Sequence, residues 1–188
     1  LQRVRDIRSS ERMFYQKVTD IYATSIDYKV DAELTQKFFA TVQNKMHYAV
    51  HGRTAAEVIA QRADSKKPLM GLTSFKGDYI TTEDIVIAKN YLTEPEINQL
   101  NLIVSLYIDF AELQATSGRL MKMQDWIRKL DEFLTASEKK LLHSAGKISA
   151  KQAEIIAFKE YEKYRKEGDK KYISDFDREV KKLMEPHD

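Results

Sequence analysis

Residues that break helices are scarce along this chain. Its 188 residues include six Gly and three Pro. The stretches between them are rich in Ala, Leu, Lys, Glu, Gln and Met, which have the highest helix propensities. A chain with so few turn residues has little opportunity to reverse direction as often as a β-rich fold requires. We therefore predict an all-α protein, an irregular multi-helix domain of about eight helices.

Apolar residues recur every three or four positions in several segments, which is the spacing of a buried helix face. A capping box of Thr54 and Glu57 predicts that a short helix begins at that point. The helix over 96–116 is the most apolar, and we expect it to be packed on several sides. The predicted helices span 4–22, 31–52, 54–63, 81–91, 96–116, 123–134, 137–143 and the charged segment from 149.

The segment from Pro68 to Ile80 departs from the helical pattern. It contains two Gly and has β-branched and aromatic residues around Lys76, Gly77 and Asp78. This composition is typical of a small β-hairpin near residues 70–80, or alternatively of an irregular flap.

One hydrophobic core is expected, because 43% of the residues are apolar and the length suits a single domain. We predict a helical core domain over 1–146 and a charged helical arm over 147–188 that packs on it. The chain begins with Leu1 and enters a helical pattern at once, so we expect it to be part of a longer protein.

Composition excludes several classes of function. Cysteine is absent, which excludes disulfides and thiolate chemistry. The formal charge of +2 gives no large field toward nucleic acid or anionic membrane. No apolar run approaches the roughly 20 residues of a membrane span, and no secretory leader is recognisable. A cytoplasmic location without membrane contact is the expectation.

Polar side chains with possible chemistry are concentrated between residues 38 and 75. His47 and His51 lie one helical turn apart and Gly52 follows at once. We predict that a candidate polar site, if the chain has one, lies here. Its members are Gln43, Asn44, Lys45, His47, His51, Arg53, Glu57, Arg62 and Asp64.

Three chemical interpretations of this stretch remain open beside a simple polar seam between helices. The two histidines with Glu57 or Asp64 could bind a divalent ion, but the zincin motif is missing because Tyr48 follows the first histidine. An anion could bind at the N-terminus of the helix that Thr54 opens, held by Asn44, Lys45, His47, His51 and Arg53. A histidine could act in acid-base catalysis. No nucleotide-binding loop is present, and we predict neither a metal nor a cofactor.

Basic residues at the two ends of the chain have a simpler interpretation. Arg5, Arg8 and Arg12, and the Lys-rich segment 159–182, are interleaved with acidic residues, which is typical of a solvated helix face. Tyrosines on the last helices could serve an interface between two copies of the chain.

Several motifs resemble the RhuM family of bacterial virulence-associated proteins, which occur in mobile or accessory regions. They are RDIRSSERMFYQKVTDIYATSIDY at 5–28, FFATVQNKMHYAVHGRTAAEVIAQRAD at 38–64, PLMGLTSF at 68–75, AKNYL with LN over 88–101, MQDWIRKLDEFL at 123–134 and AGKIS at 145–149. The resemblance implies that a DNA-binding region of helix-turn-helix type precedes a helical domain like this one. The Fic signature is absent, so AMP transfer is not implied.

Two functions follow as hypotheses. The first is the C-terminal helical domain of a RhuM-like accessory protein, used for homo-oligomerisation or for binding a partner or ligand, with DNA bound through the absent N-terminal region. The second is an enzyme of undescribed type that acts on nucleotide or nucleic-acid phosphates through residues 43–64.

Overall fold

A computed structural model describes residues 16, 19–20, 22–28 and 32–171 of the chain. Within these ranges it has five α-helices and no strand, so the predicted all-α class is confirmed. The helices are α1 (Ala32–His51), α2 (Ala55–Arg62), α3 (Glu94–Thr116), α4 (Met123–Ala136) and α5 (Ala150–Lys171). Most of the helix predicted over 4–22, and residue 31, where the next helix was predicted to begin, lie outside the described residues.

The prediction of about eight helices is wrong for the described residues, and the helix predicted over 81–91 shows why. This segment forms two short 3-10 turns, Asp84–Val86 and Ala88–Tyr91. In an α-helix the carbonyl of Asp84 would accept the backbone N–H of the residue four positions later. Here it accepts the side-chain amide of Asn90 at 2.9 Å. A side chain thus takes the place of the next backbone donor, and the helix does not propagate.

Residues 137–143 do not form the predicted short helix either. Glu138 has a φ of 55°, in the left-handed region that ends a right-handed helix. The N–H of Lys139 donates to the carbonyl of Leu134 at 2.9 Å, which closes α4.

The β-hairpin predicted near residues 70–80 is wrong, and the alternative of an irregular flap describes the segment. Leu69, Met70 and Gly71 all have φ between 52° and 84°, which no strand tolerates. Beyond them, the buried carboxylate of Asp84 accepts the backbone N–H groups of Lys76 at 3.1 Å and Thr81 at 3.0 Å. Because a side chain satisfies these donors, the segment needs no partner strand.

Helix starts were predicted more accurately, because they depend on neighbouring residues. The capping box at α2 is confirmed: the N–H of Thr54 donates to the carboxylate of Glu57 at 2.9 Å, and the backbone N–H of Glu57 donates to the Thr54 hydroxyl at 3.3 Å. α3 begins at Glu94, two residues before the predicted position, and Pro95 lies in its first turn. Ser149 and Gln152 exchange the same pair of hydrogen bonds at the start of α5.

The core lies where α1 packs against α3 and α4, and where α2 packs against α5. Trp126 is buried on α4, and its carbonyl accepts the hydroxyl of Tyr107 from α3 at 3.1 Å. On α5 the buried residues are Ala153 and Ala157, whose small side chains let that helix approach closely. This packing places the polar corner between α1 and α2 beside α3, α4 and the start of α5.

Candidate functional site

The predicted polar stretch occupies the second half of α1, the corner at Gly52, all of α2 and the turn after it. The structure does not gather its nine candidate side chains into one cluster. They diverge toward α3, toward α4 and toward the loop before α5, and four of them, Asn44, Lys45, Glu57 and Arg62, join two elements.

Asn44 and Glu57 fix the corner between α1 and α2. Asn44 accepts the N–H of Ala55, at the start of α2, at 3.1 Å. Glu57 completes the capping box and also accepts the N–H of Lys147 at 2.7 Å. The hydrogen bond from the Lys147 N–H is the largest cause that keeps the pKa of the Glu57 carboxyl below its ordinary value, and the bonds from Thr54 lower it further. Both side chains are therefore engaged in backbone contacts.

Lys45 joins α1 to α4 and is 8% exposed. Its ammonium donates to the two carboxylate oxygens of Asp131 at 2.8 and 3.1 Å and to the carbonyl of Leu142 at 2.9 Å. Lys45 and Asn44 form part of the wall of an open cavity of about 800 Å³. With three acceptors around its ammonium, Lys45 has no donor left for an external anion.

Arg62 joins α2 to α3. Its two terminal nitrogens bind the two carboxylate oxygens of Glu96 at 2.6 and 2.7 Å, and one of them also donates to the carbonyl of Tyr91 at 2.7 Å. Hydrogen bonding to this guanidinium is the largest of the causes that lower the pKa of Glu96 to about 2. This bidentate pair ties the end of α2 to the start of α3.

His47 and His51 are paired with each other. Nδ1 of His47 lies 3.1 Å from Nε2 of His51, while Nε2 of His47 and Nδ1 of His51 are buried without a partner in the described part of the chain. Burial is the main cause that lowers the pKa of His47 to about 3 and of His51 to about 4. The charge of Glu96 raises both pKa values. Lys89 lowers the pKa of His47 further, and Arg62 and Arg53 lower that of His51. Both rings are consequently neutral near pH 7 and supply no positive charge to an anion.

The remaining three candidates are dispersed. Asp64 accepts the N–H of Lys66 at 3.0 Å and stabilises a turn. Gln43 and Arg53 are half-buried and make no side-chain hydrogen bond or ion pair with the residues that the structure describes. Within those residues, no group of three or more His, Asp or Glu side chains is placed to hold a metal ion. Helix packing thus accounts for most of the polar density between 43 and 64.

An exposed row of leucines on α3 escaped the sequence-based prediction. Leu102, Leu106 and Leu113 are 60%, 47% and 63% exposed. The expectation that this helix is packed on several sides is therefore wrong for Leu106 and Leu113, because only the face with Leu100, Ile103, Tyr107, Ile108 and Ala111 is buried. Spacings of four and seven residues place the three exposed leucines on one face, a signal that the sequence contained. We call Leu102, Leu106 and Leu113 the leucine face.

A second feature that the prediction missed is an open cleft of about 990 Å³ between the segment after α2 and the last turns of α5. Aromatic and charged side chains line it together. They are Phe75, Tyr79, Tyr161, Tyr164, Lys66, Lys67, Arg165, Asp78 and Glu167. We call this feature the aromatic cleft. The Lys66-Lys67-Pro68 sequence and the nearby aromatic residues were a visible signal, but the α5 side is joined to them only by the fold.

Comparison with known protein families identifies a match over most of the chain. The family model described as Virulence protein RhuM family matches residues 1–172. No curated protein and no solved structure matches the chain. Among the described helices, none combines the length and the apolar character needed to cross a membrane.

Proposed function

Because the chain belongs to the virulence protein RhuM family, we propose that its helical fold serves self-association, in which the leucine face of α3 packs against the same face of a second copy. The family resemblance also supports a DNA-binding region N-terminal to this fold. A two-fold pair of the helical domain would present two such regions to the two half-sites of one DNA.

The leucine face carries this proposal. Three large apolar side chains at 47% exposure or more stand in one row on a helix whose opposite side is already buried. The spacing of four and then seven residues is that of a helix seam in which two helices pack side by side. An exposed apolar row of this kind is typical of a protein interface.

A second copy of the chain is the partner that suits this row. Every copy carries the same face, so a two-fold arrangement is complementary to itself, and two-fold dimers are the commonest oligomers. The formal charge of +2 leaves little long-range repulsion between copies. Asp109, which is exposed and lies between Leu106 and Leu113 on the same face, interrupts the row and makes the association weaker than an unbroken seam would be.

Sedimentation equilibrium tests the proposal. The wild-type chain is expected to form a reversible dimer, and the double variant Leu102→Glu with Leu106→Glu is expected to be monomeric with unchanged helix content. Ile155→Glu is the matched control, because Ile155 is 58% exposed on α5 and should leave the dimer intact. A wild-type chain that stays monomeric up to about 1 mM, where an association of about −4 kcal/mol is half populated, contradicts the proposal.

A gain of association gives an independent check. Asp109→Leu completes the row and should tighten the dimer, because it replaces a charge in the seam with an apolar side chain. Glu112→Leu, on the same helix but off the row, is the control for added hydrophobicity. Equal tightening by both variants would argue against the leucine face as the interface.

A further inference from the structure

We infer that the aromatic cleft is a binding site for a nucleoside phosphate, either free or as part of a single-stranded nucleic acid. This goes beyond the self-association proposed above and uses a different surface. The inference rests on the combination of side chains at the cleft, on the way the loop that carries Tyr79 is fixed, and on the conformation of the segment that carries Leu69.

Aromatic rings and free cations share the walls of the cleft. Tyr79 is 78% exposed, and Tyr161 is held in place because its hydroxyl donates to the carbonyl of Ile80 at 3.0 Å. The cations Lys66, Lys67 and Arg165 make no side-chain hydrogen bond or ion pair within the described part of the chain. Rings on which bases stack, beside cations that attract phosphate, are the two features that single-strand binding sites combine.

A buried carboxylate fixes the loop that presents Tyr79. Asp84 is 2% exposed and accepts the N–H of Lys76, the N–H of Thr81 and the hydroxyl of Thr81, the last at 2.6 Å. Because both ends of the loop 76–81 are bound to one side chain, Tyr79 projects from a loop that is anchored at both ends. A preorganised ring loses less conformational freedom when a ligand stacks on it.

The opposite wall is held in an unusual backbone conformation. Leu69 and Met70 have φ of 52° and 59°, which side chains larger than Gly rarely adopt. Met70 is fully buried and its carbonyl accepts the N–H of Asp64 at 3.1 Å, whereas Leu69 is 43% exposed at the cleft. Backbone of this kind is found preferentially at binding sites. The anchored Met70 thus keeps Leu69 and the preceding Lys67 at the mouth of the cleft.

Two carboxylates at the cleft allow the charge of the ligand to be tested. Asp78 and Glu167 line it and have no ion-pair partner among the described residues. They repel a phosphate and would attract a cationic ligand. Glu167→Gln should therefore strengthen the binding of a nucleoside phosphate, while the same change would weaken the binding of a cation.

Fluorescence anisotropy with a fluorescein-labelled oligothymidylate of about a dozen nucleotides, in about 50 mM salt, is the test. Tyr79→Ala should weaken binding at least about fivefold, because a stacked base contributes that much or more. Arg165→Glu and Lys67→Glu should also weaken it. Lys151→Glu, an exposed change on α5 outside the cleft, should not. Glu167→Gln should tighten binding, in contrast to Glu154→Gln, its control on the same helix.

The outcomes separate the sources of the ligand. If free thymidine monophosphate at equal nucleotide concentration displaces the oligothymidylate, a free nucleotide is sufficient for binding. If it does not, the site requires a strand. Both results support the inference. No binding at about 50 mM salt overturns it, because low salt favours every phosphate contact. Equal losses in Arg165→Glu and Lys151→Glu also overturn it, since the binding would then reflect general charge. Weaker binding by Glu167→Gln overturns it as well.

Discussion

Nδ1 of His47 lies 3.1 Å from Nε2 of His51, and the outer nitrogen of each ring is buried without a partner in the described part of the chain. One ring must donate and the other must accept, so the accepting ring has to be neutral. Because burial lowers the pKa of both rings, both are neutral near pH 7 and take complementary tautomers. A proton added to either ring would place a charge in a buried position with no carboxylate hydrogen-bonded to it. The pair is therefore a structural contact of α1 that acid should disrupt.

We predict that the free energy of unfolding decreases as pH falls from 6.5 toward 4. The unfolded histidines take up protons at about their ordinary pKa of 6.5, whereas the folded ones do so only near 3 and 4. The contribution of the two neutral histidines to the free energy of unfolding is thus fully present above pH 6.5. It decreases below that pH by at most about 1.4 kcal/mol per pH unit for each histidine. Urea denaturation across this window measures the slope. The double variant His47→Gln with His51→Gln should flatten it, and an unchanged slope would show that other groups titrate.

A second prediction concerns Arg62 and Glu96. Their side chains are 22% and 20% exposed and joined by two hydrogen bonds. Glu96→Gln should lower the free energy of unfolding by about 1.5–3 kcal/mol, as for other hydrogen bonds to charged groups. The exposed Arg128, 66% exposed beside Asp125, offers the control Arg128→Ala, with a loss of at most about 1 kcal/mol.

The same pair gives a pH dependence at lower pH than the histidines do. The pKa of Glu96 falls from 4.5 to about 2 on folding. Its contribution is complete above pH 4.5 and is lost as pH falls toward 2, so Glu96→Gln should remove that part of the acid sensitivity. If Glu96→Gln and Arg128→Ala cost the same, the pair does not tie α2 to α3.

The third prediction tests the contact between the loop before α5 and the capping box. A Cβ at Gly146 would lie 2.7 Å from Cγ2 of Thr54 and 3.3 Å from Oε1 of Glu57, while Gly118 has open space. Both glycines have positive φ, so Ala costs about 1–2 kcal/mol at either position. Gly146→Ala should cost about 1–3 kcal/mol more because of the clash. Equal melting temperatures for the two variants would mean that the loop is not held against Thr54.

The fourth prediction concerns Lys45. Lys45→Met removes the cation and leaves the carbonyl of Leu142 and the carboxylate of Asp131 without their donor. We expect a loss of about 2–3 kcal/mol, below the range for fully buried pairs because the Asp131 side chain is 31% exposed. Lys129→Met, which breaks an ion pair with the half-exposed Glu132 on α4, should cost less than about 1 kcal/mol. Denaturant midpoints distinguish these outcomes.

The parts of the fold that the sequence predicted well depend on residues close together in the chain. The capping box of Thr54 and Glu57 is an example, and α3 begins within two residues of its predicted position. Contacts between distant residues were not predictable: Lys45 meets Asp131, 86 positions away. A polar stretch that looked like a site thus proved to contain long-range structural contacts.

The surfaces that we propose as functional were hidden for a related reason. Leu106 and Leu113 count as core residues in any hydrophobic pattern, and only packing shows which face of α3 is covered. Arg165 lies about 100 positions from Lys66 and Lys67, and the packing of α5 beside the segment after α2 brings them to one cleft. Local patterns place residues on one face of a helix or in one segment, but they do not show which face another element covers or which distant segments meet.

Disulfide trapping is the most direct test of self-association through the leucine face. The chain has no cysteine, so Leu102→Cys, Leu106→Cys and Leu113→Cys each introduce a single thiol, with Ile155→Cys on α5 as the exposed control. A disulfide requires Cα atoms within about 7 Å, which a two-fold packing of α3 brings about near its axis. We predict that at least one leucine-face variant forms a disulfide-linked dimer much faster than Ile155→Cys under mild oxidation. Equal, slow crosslinking of all four variants would contradict the proposal.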